Sequence, residues 1–242
     1  MKMGDSGFYA GAGGIGVLGG TFNPIHVAHL RAAEEVREAL GLEKVVFVPA
    51  GNPPLKTRGL LPADKRLKMA RLAVRGNPGF EVSAMECRGG RRPSYTVETL
   101  ENLDAVYGNG RLRFITGIDA FKNLHLWWKP GRLIELADFV VVSRPGHDFA
   151  SLADSPFVAK AKNKKSSGRR LARLAALDAR KGEKGRTVRL PLASGRSLYL
   201  VRITDMDISG KGVRALLAAG RSVRYLLPEP VLSFIISNEL EF

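Results

Sequence analysis

The 242-residue sequence holds one cysteine, Cys87. A lone thiol excludes an intramolecular disulfide framework and any zinc site built from several thiolates. No apolar run reaches the roughly 18 residues that a transmembrane helix needs. The glycine-rich start, residues 1–14, has no long apolar stretch, so it reads as a flexible leader and not as a secretory signal. The expected compartment is the cytoplasm. Aromatic residues are scarce at 7%, and acids are few, 23 Asp and Glu against 38 Lys and Arg, which leaves a net charge of +15. Apolar residues at 45% and charged residues at 25% nevertheless make an ordinary globular composition. That excludes wholesale disorder, a collagen-like fibre and a coiled coil. The length suffices for a sizeable core in one large or two small domains.

The positive charge is unevenly placed. Residues 150–197 hold 13 Lys or Arg against 3 Asp or Glu, a net of +10, so the rest of the chain carries only +5. This stretch has no Trp or Tyr, and its one aromatic is Phe157. Single-strand binding surfaces interleave aromatics with charge, so the stretch reads first as a solvated insertion at about 147–196 with a short helix over 169–180. Contact with nucleic acid or with a polyphosphate substrate is the alternative. Read as an insertion, it interrupts a single domain over 15–242.

Apolar periodicity alternates between strand and helix along the chain. Strands are expected at 15–20, 45–49, 80–85, 111–116, 139–142 and 197–203. Helices are expected at 26–42, 62–74, 95–107, 132–136, 211–219 and 230–239. This order predicts an α/β fold with a mainly parallel sheet and helices on both faces. Ligands of such sheets bind beyond the carboxyl ends of the strands, near a switch in strand order. Gly11-Ala12-Gly13-Gly14-Ile15-Gly16 matches a dinucleotide fingerprint by letter. It lacks a preceding strand and is followed by a strand instead of a helix, so it is assigned to the leader.

The informative loop is Gly19-Gly20-Thr21-Phe22-Asn23-Pro24-Ile25-His26-Val27-Ala28-His29. It joins the first expected strand to the first helix. The glycines allow close approach of backbone to ligand, and the helix start offers unpaired N–H groups and a positive dipole end. His26 and His29, three apart, share one helix face. Two imidazoles there suit a phosphate. Metal binding and plain packing are the competing readings, and no nearby Cys or Glu-x-x-His completes a metal set.

This loop resembles the G-x-F-x-P-x-H-x-G-H motif of the nucleotidylyltransferase superfamily. Residues 48–55 (VPAGNPPL), 77–82 (NPGFEV), 93–100 (PSYTVETL), Gly117-Ile118-Asp119, Trp127-Trp128 and 227–231 (LPEPV) extend the resemblance to bacterial nicotinate-nucleotide adenylyltransferases. The resemblance implies a Rossmann-like fold. It also implies adenylyl transfer from ATP to nicotinate mononucleotide, giving deamido-NAD and pyrophosphate with Mg2+ held mainly by substrate phosphates. Two departures stand out. Ala28 occupies the family's glycine position, and Ile208-Ser209-Gly210-Lys211-Gly212-Val213-Arg214 replaces a loop that ordinarily has two serines and a threonine.

The resemblance further implies residue roles. Gly19, Gly20, Thr21, Phe22, His26, His29, Asp119, Ser209, Lys211 and Arg214 would contact ATP, with Asp119 on the ribose and His29 at the α-phosphoryl group. Arg214 would hold the departing phosphates, and Lys56 would draw the two substrates' phosphates together. Tyr95, Thr96, Trp127 and Trp128 would receive the pyridine ring and its carboxylate. From the residues alone, Lys56 reads equally as a solvated lysine, Asp119 as the N-cap of the next short helix and the tryptophans as packing anchors. Cys87 reads as structural. A sibling enzyme acting on nicotinamide mononucleotide or phosphopantetheine, and a nucleic-acid-binding protein using the basic segment, are the alternatives. No membrane contact is expected, and a homo-oligomer is left open.

Overall fold

The computed structural model describes residues 13–54, 59–88, 92–108, 110–179 and 186–242. Its elements in chain order are β1 (Ile15–Gly20), α1 (Val27–Leu40), β2 (Lys44–Pro49), α2 (Ala63–Val74), β3 (Phe80–Val82), α3 (Thr96–Tyr107), β4 (Leu112–Gly117), α4 (Ile118–Lys122), α5 (Pro130–Leu136), β5 (Asp138–Val142), α6 (Lys164–Ala179), β6 (Thr187–Pro191), β7 (Ser197–Val201), α7 (Gly210–Ala218) and α8 (Glu229–Ser237). The strands form one sheet in the order β3-β2-β1-β4-β5-β7-β6. All pairs are parallel except β6 with β7.

Central strands buried on both faces need apolar side chains at nearly every position. Val45 to Val48 on β2 and Phe139 to Val141 on β5 meet that need and are fully buried. Alternate residues feed two cores. Ile15, Val17, Val46, Phe114 and Phe139 pack under α3, α4, α5 and α6, while Leu18, Val45, Phe47, Ile115 and Val140 pack under α1, α2, α7 and α8. Helix α1 ends at Gly41, whose left-handed φ of 59° lets its N–H reach the Glu38 carbonyl while Leu42 N–H reaches that of Arg37 at 2.9 Å. This reciprocal closure satisfies the last-turn carbonyls.

Four expectations are corrected. The third strand stops at Val82; Ser83 N–H makes a last bond to the Phe47 carbonyl at 2.9 Å, and the chain then enters a 3-10 turn over Glu86–Arg88. The helix expected over 169–180 starts earlier, at Lys164, and it is not merely solvated: Leu174 and Leu177 are buried in the core. The same basic segment adds β6, an unanticipated strand that buries Val188 and Leu190. Asp119 does not cap its helix; Gly117 holds the N-cap position and Asp119 lies within the first turn. Of the leader, residues 1–12 lie outside the described residues, and with them Gly11 and Ala12 of the glycine-rich match. Among the described residues no helix is long and apolar enough to cross a membrane.

Candidate active site

Strand order reverses at β1, which lies between β2 and β4. The crevice beyond their carboxyl ends is the general ligand position of open parallel sheets. Gly19 and Gly20 end β1 there. A Cβ on Gly20 would come 2.8 Å from the Phe22 ring, so only glycine fits. Phe22 itself is buried with a left-handed φ of 49°. The turn delivers His26 to the N-cap of α1 and His29 to its first turn.

The two imidazoles stack with centroids 3.6 Å apart, and Phe22 meets His29 edge-on at 5.1 Å. His26 N–H donates to His29 Nδ1 at 3.2 Å. A nitrogen that accepts cannot carry the proton, so the neutral His29 ring has its proton on Nε2. His26 is 4% exposed. Burial, and then the Arg144 charge, lower its pKa to about 4, so it is neutral near pH 7. Its Nδ1 is buried with no hydrogen-bond partner among the described residues. A buried polar nitrogen without a partner is costly, and here it lies in the loop that the sequence motif marks.

Helix α7 brings a second helix start to the same place. Ser209 is its N-cap, and its Oγ accepts from Gly212 N–H at 3.1 Å. Arg214 Nη1 donates to the Asn23 carbonyl at 2.8 Å, which ties α7 to the β1–α1 turn. Lys211 is exposed beside it. Lys56 lies outside the described residues. The chain beyond it is anchored by Asn23, whose Nδ2 donates to the Gly59 carbonyl at 2.7 Å and whose Oδ1 accepts from Leu61 N–H at 3.2 Å.

Arg66 of α2, which sequence reasoning missed, is fully buried. Its Nε donates to the Leu61 carbonyl (2.9 Å), Nη2 to that of Gly51 (2.8 Å) and Nη1 to those of Thr21 (2.9 Å) and Ala50. One guanidinium thus joins the ends of β1 and β2 to the segment after Lys56. A single arginine in a charged amphipathic helix gives no sequence signal of this.

On the other side of the crevice, Asn52 and Ser94 pair through Ser94 N–H to the Asn52 carbonyl (2.9 Å) and Asn52 N–H to Ser94 Oγ (3.1 Å). A Cβ on Gly51 would fall 2.1 Å from the Glu86 carbonyl oxygen, so this junction requires glycine. Glu86 accepts from Thr99 Oγ1 at 2.5 Å, and burial pushes its carboxyl pKa up. Tyr95 caps α3, Thr96 opens it, and the Tyr95 ring lies 4.5 Å from that of Trp128. Trp128 is 43% exposed, with Lys129 Nζ 4.3 Å from its ring centre. Trp127 instead packs edge-on against Phe114 at 6.1 Å, anchored on the core. The Cys87 thiol lies against the Pro49 and Ala63 carbonyls, and burial raises its pKa.

Asp119 follows β4 and pairs with Arg144, which follows β5, at 2.5 Å. Arg144 was also missed, although it occupies a position just beyond a strand end, where the fold rule directs attention. The site thus brings His26, His29, Asp119, Ser209 and Arg214 around one strand-end crevice, with the Tyr95 and Trp128 rings in tilted contact at the start of α3. Among the described residues no three His, Cys, Asp or Glu side chains cluster as a metal cage.

A mostly parallel sheet with a histidine pair and two helix starts gathered at its switch point is the architecture of a nucleotide- or phosphate-binding protein. The cytidylyltransferase-like family model matches residues 17–209. A probable nicotinate-nucleotide adenylyltransferase of Citrifermentans bemidjiense is 42% identical over 93% of this chain and 97% of its own length. One from Geotalea daltonii is 43% identical over 91% and 94%. The chain belongs to the nicotinate-nucleotide adenylyltransferase family. Its fold matches that of the Plasmodium falciparum nicotinic acid mononucleotide adenylyltransferase solved with NaAD, at a TM-score of 0.65 and 15% identity over 94% of this chain and 97% of that one.

Proposed function

We propose that this chain transfers the adenylyl group of ATP to nicotinate mononucleotide in NAD biosynthesis. The carrying observation is the junction of two helix starts, α1 with its histidine pair and α7 with Ser209, through the Arg214 to Asn23 bond. Helix starts and guanidinium groups are phosphate receptors. The mononucleotide's 5′-phosphate oxygen attacks the α-phosphorus of ATP. A new P–O bond forms, the bond to the β-phosphate oxygen breaks, and pyrophosphate leaves with that electron pair. The attacking phosphate is already anionic near neutral pH, so no protein base is needed.

The protein's contribution is alignment and charge neutralisation. Gly19, Gly20, Thr21 and Phe22 line the ATP position, and Phe22 braces His29. His29 Nε2–H donates to the α-phosphoryl oxygen as charge builds there. Neutral His26 gives its buried face to the same phosphates. Arg214 and Lys211 receive the departing pyrophosphate, and Ser209 holds the α7 start open to it. Lys56 bridges the two substrates. Asp119 exchanges Arg144 for the ribose hydroxyls. Thr96 and its neighbouring N–H groups take the pyridine carboxylate, and Tyr95, Trp127 and Trp128 form the ring's wall, with the half-buried Trp127 as its backing. The site's cations and N–H donors suit phosphate better than a bare metal, so magnesium fits as an ion carried on the phosphates of ATP, its common habit. Bound there, it would withdraw charge from the phosphate oxygens.

The test is pyrophosphate release from ATP and magnesium with nicotinate mononucleotide, nicotinamide mononucleotide and phosphopantetheine in parallel. Preference for the acid by tenfold or more is expected. Equal use of the amide, turnover only with phosphopantetheine, or no release with any would overturn the reading.

A further inference from the structure

The basic segment has a structural form that the catalytic site does not use. Lys165, Arg169 and Arg173 lie at i, i+4 and i+8 of α6 and are all exposed. They make one stripe with about 6 Å of rise between neighbours, while Leu174 and Leu177 face the core. Among the described residues none of the three pairs with a carboxylate. The helix's one acid, Asp178, is engaged elsewhere: it accepts the N–H groups of Phe149 and Ala150 at 2.8 and 2.9 Å.

The stripe runs into an open cleft of about 340 Å³ against β6, lined by Arg173, Arg189, Gly195, Arg196 and Ser197 among others. Two of its arginines are held by their inner nitrogen. Arg189 Nε donates to Ser197 Oγ at 2.9 Å, and its guanidinium sits 5.8 Å from the Tyr199 ring centre. Arg196 Nε donates to the Glu135 carbonyl at 2.5 Å. Neither residue's terminal nitrogens have a protein partner among the described residues. A guanidinium fixed in this way presents a ready fork to phosphate oxygens. The cleft lies beside Ser197, at the amino end of β7, where that strand pairs with the edge strand β6. The histidine pair lies beyond the carboxyl ends of the parallel strands, at the opposite end of the sheet.

We propose that the α6–β6 face binds the phosphate backbone of a nucleic-acid duplex, independently of base sequence and apart from the catalytic centre. Chemistry selects the ligand. The face offers several cations in a shallow, open cleft, which suits a line of phosphates. It offers no stacking platform for unpaired bases, because Phe157, the segment's one aromatic, is packed against the core.

The test measures anisotropy of a labelled DNA duplex of about 20 bp with the full chain at about 50 and about 200 mM KCl. Four or five phosphate contacts predict a salt slope near −4 and a loss of roughly 10²- to 10³-fold in affinity. The triple change R169E/R173E/R189E should weaken binding at low salt at least tenfold with pyrophosphate release unchanged, so activity reports that the fold survives. If the triple variant fails to fold, the paired change R169Q/R173Q should lower the slope by about 2. No duplex binding at low salt, an unaltered affinity and slope in the folded variant, or equally tight binding of a poly-glutamate peptide would overturn the assignment.

Discussion

His26 is an imidazole whose protonation the fold opposes, by burial first and by the Arg144 charge second. Its native pKa of about 4 lies below the unfolded value of 6.5. The native state therefore binds fewer protons between those values, and stability rises with pH there. The contribution is complete above about pH 6.5, is lost as pH falls towards 4, and amounts to about 3 kcal/mol. Urea midpoints across this window should climb in the wild type and climb less in His26→Gln; parallel curves would refute the link. His29 differs, because its expected work is on the phosphate. His29→Ala should cut turnover by about 10²- to 10³-fold with little change in the unfolding midpoint. Arg66 serves both stability and geometry, since removing it strands carbonyls at Thr21, Ala50, Gly51 and Leu61. Arg66→Met should cost about 3 kcal/mol or more. Arg66→Lys, which keeps the charge without the fork, should fold but lose turnover, as judged by denaturant titration beside steady-state rates.

At the scale of elements, the two helix starts and the β2–α3 junction carry the site. Ser209 caps α7 through Gly212 N–H, so Ser209→Ala should cost about 1 kcal/mol and raise the KM for ATP more than that for the mononucleotide. Gly51 has no room for a Cβ against the Glu86 carbonyl. Gly51→Ala should push the 50–54 loop away from Ser94 and raise the mononucleotide KM about tenfold or more, with the ATP KM less affected. An unchanged ratio of the two KM values would remove the junction from substrate positioning. The elements that were readable in advance were those with one dominant signal. β1, β2 and β5 are continuous apolar runs because both faces of a parallel sheet are covered. β6 was not readable: only Val188 and Leu190 of its five residues are buried, and it is embedded in a run of Lys and Arg. Its partner β7 makes it a strand, not its own composition.

At the scale of the whole molecule, the basic segment packs into the same sheet and core as the strands that carry the candidate site. Phe149, Leu152, Val158, Leu174, Leu177, Val188, Leu190 and Leu192 share a core with β4 and β5. We propose that residues 15–242 form one domain in which 147–196 is integral. Deleting 147–196 should expose the edge of β7 and this apolar face, giving an unfolded or aggregated product by circular dichroism and gel filtration. A soluble, active deletion protein would contradict that. Of the net charge of +15, +10 falls in residues 150–197; the α6 stripe with Arg189 and Arg196 lies at the end of the sheet opposite the histidine pair.

By itself the sequence determined the alternation of strands and helices, the glycine-rich turn that leads to His26 and His29, and the chemical class that this turn resembles. These are local properties, set by periodicity, turn chemistry and the spacing of a few residues. Only the tertiary structure decided that Arg214 reaches the Asn23 carbonyl from 191 residues away, that Asp119 meets Arg144 across neighbouring strands, and that Arg66 is the buried clasp of three loops. Each of these is a hydrogen bond or ion pair whose partner is fixed by strand order and not by chain distance. Burial likewise decided the charge state of His26, because desolvation is a property of what surrounds a side chain, which the sequence does not state.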